Sequence, residues 1–420
     1  MENNVLRVIV WGLEVGRLYW YKEKRRAYFT YSQDFLSKGL DIAPLTASIY
    51  SPISQRGFNH LGNTDKMYSG LPEFIADSLP DRWGDTIFRR WAEAHHIPMH
   101  HLTPVDRLAY IGKRSMGALE FEPAYEKDHD FVIDLESLYQ LAGEIFNERQ
   151  EMCLSPDFPL HIESLYRIGT SAGGMRPKAI IAINDKTGEV RSGQAILSEE
   201  YTHYILKFNE KKDFPYTLVE KIYYDMAIAA GINMMPSRLI EIDGLQHFLT
   251  QRFDRERGKK VHIQTLAAMN PLADSYEDLF TICRKLRLPA NEIKEQYRRA
   301  IFNILAGNVD DHTKNFSFMM HDDGIWHITP AYDLTFTIDL DAPAYVNRHS
   351  LTIGGKNDGI TDEDLLRLAQ RNDIRDAEGI IHKIKTTISH FPDYAKANGL
   401  DNRWTERIEQ SLREINASLT

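Results

Sequence analysis

NVDDHTKNFSFMMHDDGIWHITPAYDLT, residues Asn308–Thr335, decides how this chain reads. Asp310 stands five residues before Asn315, and Asp333 follows 18 residues later, after an apolar run. Phosphoryl transfer of the kinase type needs these parts in this order. One carboxylate takes the proton of the acceptor hydroxyl. An amide oxygen and a second carboxylate hold magnesium against the β- and γ-phosphates. The D-x-x-x-x-N spacing is that of kinase catalytic loops. By itself the pattern is short and recurs by chance, so its weight comes from what lies upstream.

Three upstream stretches fall in kinase order. Gly169–Lys178, GTSAGGMRPK, precedes the strand-like AIIAIN. Gly173 and Gly174 let backbone N–H groups approach a polyphosphate without a Cβ in the way, and Arg176 and Lys178 add positive charge. The same residues also fit a glycine-rich surface turn. Lys207 ends the apolar run YILKF, where a kinase places the lysine that holds the α- and β-phosphates; Glu220, early in the next helix pattern, is its candidate partner. An edge-strand lysine turned to water is the plainer alternative. Leu249–Arg255, LTQRFDR, sits where a hinge would offer backbone groups to an adenine edge, with Phe253 as either a base-packing or a core side chain. Within the Asp310 loop, Lys314 is placed to neutralise the γ-phosphate, and His312 to support the loop. Asp311 competes with Asp310 for the base role, because adjacent residues on an extended loop point opposite ways.

Around these motifs the pattern predicts an α+β, two-lobed, protein-kinase-like fold. Val5–Trp11, Val15–Tyr21 and Arg26–Tyr31 read as a β-meander. Ser69–Trp91 changes to helical spacing with Pro80 as a break, and Leu108–Phe121 reads as strand, loop and strand around Gly112 and Gly117. Strands are expected at 179–184, 203–208, 237–242 and 247–250, with a strong helix at 217–230. From Ser275 onward the chain is helical: 276–288, 290–306, 361–371, 376–390 and 402–417. The expected division is a β-rich N-terminal subdomain at 1–124, an upper lobe at 125–254 and a helical lobe at 255–420, with SPDFP at Ser155–Pro159 as a candidate boundary.

Composition narrows the field. The 420 residues are 43% hydrophobic and 26% charged, an ordinary globular balance. A net charge of −10 speaks against general nucleic-acid binding. Basic clusters exist at Lys22–Arg26 (KEKRR) and Arg255–Lys260 (RERGKK), and solvated loop charge is their plain reading. Cys153 and Cys283 are too few for a disulfide framework. No leader and no membrane-length apolar run is seen, so a cytoplasmic protein is expected. The histidines of AHHIPMHH, at 95, 96, 100 and 101, read as a helix end and turn rather than a metal site, since Pro98 breaks any helical pairing.

Taken together, these residues resemble the HipA family, the serine/threonine kinase toxins of bacterial toxin–antitoxin systems. YSGLPEFIADSLPDRWGD at Tyr68–Asp85 and RLAYIGKRSMGALEFEP at Arg107–Pro123 are similar to the family's N-terminal subdomain. GTSAGGMRPKA, HYILKFN, the RFDR run, NVDDHTKNFS and PAYDLT are similar to its kinase core. The resemblance implies ATP and Mg2+ as cofactors. It makes Asp310 the catalytic base, with Asn315 and Asp333 as the metal pair. Lys207 becomes the nucleotide lysine. Gly173, Gly174, Met175, Arg176, Pro177 and Lys178 form the phosphate-covering loop. Gln251, Arg252 and Phe253 form the adenine hinge, and His312, Lys314 and Tyr332 join the nucleotide contacts. Ser171 matches the loop serine that family members autophosphorylate, with Thr170 as a second acceptor; a phosphate there would place about −1.5 to −2 charge where a triphosphate must sit. The implied partners are a protein substrate, such as an aminoacyl-tRNA synthetase or other translation factor, and a helix-turn-helix antitoxin. DNA would be contacted only through that antitoxin, and no membrane is implied. The chain departs from the family pattern at Gln251, where an acidic residue is frequent, and at Asp311, where a small one is common. A small-molecule kinase of the same plan and a non-catalytic co-repressor that binds the antitoxin are the rival readings.

Overall fold

The computed structural model describes residues 5–80, 82–125, 132–147, 176–194, 197–210 and 213–418. Gly169, Thr170, Ser171, Gly173, Gly174 and Met175 of the expected phosphate loop, together with Cys153, lie outside these residues. The chain packs as two compact units. The first comprises Met1–Glu210, Ile240–Gln264 and Met319–Ile325; the second comprises Lys211–Leu239, Thr265–Phe318 and Trp326–Thr420.

The first unit is built on two antiparallel sheets. β1 (Val5–Val10), β2 (Leu13–Tyr21), β3 (Arg26–Tyr31), β4 (His60–Leu61) and β5 (Leu119–Glu122) assemble in the order β4-β3-β2-β1-β5. Alternation sets their faces: Leu6, Val8, Leu18, Trp20, Ala27, Phe29 and Tyr31 are buried, while Arg7, Arg17 and Tyr19 face out. The second sheet contains β6 (Lys178–Asn184), β7 (Val190–Ser192), β8 (Tyr201–Lys207), β9 (Ser237–Ile242) and β10 (Leu245–Gln251), in the order β7-β6-β8-β10-β9. β6 reads KAIIAIN, a continuous apolar run, because it is central and covered on both faces; Ala179–Ala182 are all at 0% exposure.

The structure corrects the reading of Leu108–Phe121. Pro104–Ile111 is a helix, and only Leu119–Glu122 is a strand. The decisive signal lies one turn earlier. Thr103 and Asp106 form a capping box, with Pro104 at the first helical position, so the helix starts before the apolar run. The AHHIPMHH stretch is a helix end: Arg82–Ala94 stops there, His96 takes φ +56°, and His95 Nδ1 lies 2.9 Å from the Trp91 carbonyl.

The second unit is helical where the 3.6-residue spacing indicates. Its helices run Tyr216–Ala230, Tyr276–Lys285, Ala290–Leu305, Asp362–Arg371, Ala377–Ser389 and Asn402–Ser418, with a further short helix at Phe391–Ala397. Tyr223, Phe280, Tyr297 and Phe302 are buried at its centre. Tyr223 donates its hydroxyl to the Ala306 carbonyl at 2.6 Å, so the ring is packed and its polar tip satisfied. Among the described residues, no helix is long and apolar enough to cross a membrane.

Candidate active site

The Asp310 loop begins where helix Ala290–Leu305 is forced to stop. Gly307 takes φ +64°, and a Cβ there would meet the Ile338 and Ile415 side chains at 3.0 and 3.1 Å. Asn308 N–H then donates back to the Asn303 carbonyl at 3.0 Å, which closes the helix end and turns the chain outward. The next two amides, Val309 N–H and Asp310 N–H, both donate to Thr337 Oγ1, at 2.7 and 3.1 Å. A single threonine thus fixes the backbone on which Asp310 stands.

From that point the two adjacent carboxylates diverge. Asp311 is fully buried. It accepts from Tyr276 Oη at 2.7 Å and from Ser350 N–H at 2.7 Å, and it pairs with His349 Nδ1 at 2.9 Å. Both oxygens of that carboxylate are engaged, so Asp311 is held in a buried hydrogen-bond network. Asp310 has a side chain 63% exposed, with His312 Nε2 3.8 Å away. Of the two carboxylates that the sequence left in competition, Asp310 is the exposed one and Asp311 the buried one. Burial and then the Asp311 charge push the Tyr276 hydroxyl well above its usual value, which keeps it a donor.

The amide of Asn315 is oriented by the same loop. Thr313–Asn315 is a short 3-10 turn, and Asn315 Nδ2 donates to the Asp310 carbonyl at 2.7 Å. With its nitrogen so engaged, the side chain presents Oδ1 as its remaining polar atom. Asn315 and Asp333 line one pocket, together with Asn303, Asn308, Arg299 and Tyr332. Asp333 holds φ +53°, a left-handed conformation that Asp tolerates better than most residues. Asn308 Nδ2 donates to Asn303 Oδ1 at 2.9 Å and reaches the Asp333 carbonyl at 3.4 Å, while Asn303 Nδ2 donates to Tyr276 Oη at 3.1 Å. A chain of hydrogen bonds therefore runs from Asp311 through Tyr276, Asn303 and Asn308 to Asp333. The Asn315 amide oxygen and the Asp333 carboxylate, both on residues that line this pocket with Asn303, Asn308, Asp311 and Arg299, are hard oxygen donors of the kind magnesium takes alongside phosphate and water.

Other expected site residues fall into two groups. Tyr332 Oη donates to the Lys314 carbonyl at 2.8 Å and also meets the Ser317 hydroxyl, so its side chain braces the loop. In the first unit, Lys178 and Lys207 are directly opposed in the β6–β8 register and share one face of the sheet. Lys207 Nζ also lies 5.9 Å from the Phe248 ring centre. Phe208 N–H donates to the Pro177 carbonyl, which ties the two strands together at that end. Arg176 pairs with Glu210 at 2.9 Å.

At the hinge, the expectation for Arg252 needs correction. Its side chain is completely buried and forms a bidentate pair with Asp254, with Nε–Oδ1 and Nη2–Oδ2 both at 2.7 Å. Arg255 adds a third member, reaching Asp254 at 2.8 Å and the Gly117 and Ser115 carbonyls at 3.1 Å. Gly117 N–H closes the ring onto Asp254 at 2.8 Å. Burial alone would raise the Asp254 carboxyl, yet Arg252 and Arg255 hold it below the usual carboxylate range. Arg252 N–H is likewise spent on the His203 carbonyl, so neither its side chain nor its amide is offered to a base. Gln251 continues the β10 pairing opposite Tyr204, which keeps the segment extended.

Tyr276, Asn303, Asn308, Thr337 and His349 were not legible as site residues. Asn308 lies in the motif and Asn303 and Thr337 flank it, but their residue types carry no site signal; Tyr276 and His349 come from separate segments.

Residues 6–122 match the HipA N-terminal domain, and residues 170–416 match the HipA-like C-terminal domain. The chain belongs to the HipA family. It is 25% identical over 196 residues to the serine/threonine-protein kinase toxin HipA of Shewanella oneidensis, which covers 39% of this chain and 42% of that protein. It is 26% identical over 184 residues to the Y4mE protein of Sinorhizobium fredii, covering 40% of this chain and 42% of that one. The chain thus aligns with about two-fifths of the length of these relatives. Its structure is similar to a chain of the Shewanella oneidensis complex of HipA, HipB and operator DNA, with a TM-score of 0.69, 18% identity, and coverage of 99% of this chain and 96% of that one. The α+β, kinase-like fold expected from sequence is the fold observed.

Proposed function

We propose that this chain is an ATP- and magnesium-dependent serine/threonine protein kinase that restrains growth when free and is held by a helix-turn-helix antitoxin. The observation that carries the reading is the division of labour at 310 and 311. One carboxylate is spent on structure; its neighbour stands exposed on a backbone pinned by Thr337.

In this reading Asp310 orients the acceptor hydroxyl and takes its proton. Asn315 Oδ1 and the Asp333 carboxylate hold the metal, and Lys178 and Lys207 hold the nucleotide phosphates. Magnesium, when bound, neutralises charge on the β- and γ-phosphates. Lys314 adds positive charge beside the base. The chain's own contribution is positioning and charge, which is most of what phosphoryl transfer asks of a protein. Gln251 and Phe253 remain the proposed adenine contacts, without the Arg252 side chain. Ser171 or Thr170 is proposed as the autophosphorylated residue of the phosphate loop.

The family membership supports a toxin role, and the HipB and operator DNA of the similar complex support an antitoxin partner that mediates any DNA contact. A translation-related protein, such as an aminoacyl-tRNA synthetase, is the proposed substrate, and the cytoplasm the proposed site of action. The test is transfer of labelled phosphate from ATP in a cell lysate. The wild type marks a discrete protein band, and Asp310→Ala and Asp333→Ala mark none. Undiminished labelling by both variants would refute the proposal. Label confined to small molecules would instead identify a metabolite kinase.

A further inference from the structure

The outer face of the first sheet carries a feature that the catalytic reading does not use. Val5 pairs with Tyr19, Tyr19 with Tyr28, and Tyr28 with Leu61. Directly opposed residues in antiparallel strands project to the same side. These four side chains therefore form one straight row across β1, β2, β3 and β4, on the face away from the buried core. Val5 is 46% exposed, Tyr19 43% and Leu61 54%, with Tyr28 half-buried between them. Such a continuous apolar row on a solvent face is a mark of an interaction surface.

Charge brackets the row on both sides. The next row along the strands is Arg7, Arg17 and Thr30. The row in the other direction is Tyr21 and Arg26, and it continues into Lys22, Lys24 and Arg25 of the β2–β3 turn, all exposed. Lys24 Nζ lies 5.6 Å from the Tyr21 ring centre. Glu14 bonds Arg7 and Arg17, and Glu122 also bonds Arg7, so that flank is partly neutralised; the Lys22–Arg26 flank holds Glu23 against four cations.

We propose that this face docks an amphipathic helix of a partner protein, with a narrow apolar stripe and acidic residues on both of its flanks. The spacing fits. Strands lie about 4.8 Å apart, and a helix rises about 5.4 Å per turn. A helix laid along the row sets one apolar residue over each strand, and about ten residues span all four. Its acidic flanks then meet Arg7 and Arg17 on one side and the KEKRR turn on the other.

The experiment uses the full chain and a stapled helical peptide of about ten residues, with leucines one turn apart and glutamates on both flanks. A twin carries lysine in place of every glutamate, and oligothymidine is the third probe. Fluorescence anisotropy reads binding. The acidic helix binds, and the lysine twin binds at least about tenfold more weakly. Y19S combined with L61S weakens the acidic helix by about tenfold or more, while Y50S, exposed but off the row, leaves it unchanged. K24E combined with R25E shifts preference toward the lysine twin. All these positions are exposed, and circular dichroism verifies that the variants fold. The proposal is overturned if the wild type does not bind the acidic helix, if Y19S/L61S binds it equally well, or if oligothymidine is the probe that depends on Tyr19 and Leu61.

Discussion

Gln251–Arg255 in the first unit and Asn308–Asn315 in the second are both short, charged segments that look alike in sequence, QRFDR against NVDDHTKN. The structure uses their charges in opposite ways. At 252–255 the carboxylate and both guanidiniums are buried and answer one another, with backbone carbonyls of Gly117, Ser115 and Gly193 completing the set. At 310–315 only Asp311 is buried, and Asp310 and His312 face out. A charge that is buried and fully partnered holds a fold, whereas one held exposed on a rigid backbone is available for chemistry. Burial, and not residue type, separates the two roles.

The sharpest way to break this contrast is to remove one charge of each kind. Asp310→Asn lowers phosphate transfer by about 10²–10⁴-fold and leaves stability within about 0.5 kcal/mol, because the side chain is exposed. Steady-state kinetics alongside urea denaturation tests both halves; a destabilised variant would show that Asp310 is structural. Asp254→Ala does the reverse. It strands two buried guanidiniums and costs about 3–5 kcal/mol, read as a lowered denaturation midpoint. A loss under about 1 kcal/mol would mean that the cluster is solvated on the timescale of unfolding.

Asp311→Asn sits between these extremes. It retains volume but weakens the bonds from Tyr276 and Ser350 and the His349 pair, so stability falls by about 1–3 kcal/mol. Transfer falls less than in Asp310→Asn, and kcat falls more than the nucleotide KM rises. Equal loss of transfer in the two variants would place both carboxylates in the chemistry.

A further effect is a pH dependence in the first unit. Burial, chiefly, lowers His203 and His262 to about 4, with Arg252 and Arg255 contributing at His203. In the unfolded chain each titrates near about 6.5. Between these values the unfolded state binds more protons, so stability falls as pH drops from about 6.5 to about 4. His262→Gln flattens that slope in thermal melts at stepped pH. An unchanged slope would remove His262 from the account.

Sequence reasoning succeeded where the signal is local. The C-terminal helices follow their 3.6-residue spacing, and helix Ala290–Leu305 was expected at 290–306. The β-meander followed alternation. It failed at Pro104–Ile111, because the apolar run was weighed without its Thr103 cap. The two aspartates could not be told apart, since the groups that claim Asp311 lie 35, 38 and 39 residues away, at Tyr276, His349 and Ser350. Arg252 was misread because its hinge position says nothing of a carboxylate two residues on that is buried with it. The outer row of Val5, Tyr19, Tyr28 and Leu61 was hidden as well, since it exists only once four strands are in register.

In the proposed mechanism Asp310 does the proton chemistry while Asn315 and Asp333 hold the cation. Isothermal titration of Mn2+ in the presence of a non-hydrolysable ATP analogue tests it most directly, with Asp310→Asn and Asp333→Asn compared in parallel. The account predicts that Asp310→Asn binds metal and nucleotide like the wild type, whereas Asp333→Asn loses metal binding. Full metal affinity in Asp333→Asn, or its loss in Asp310→Asn alone, would contradict it.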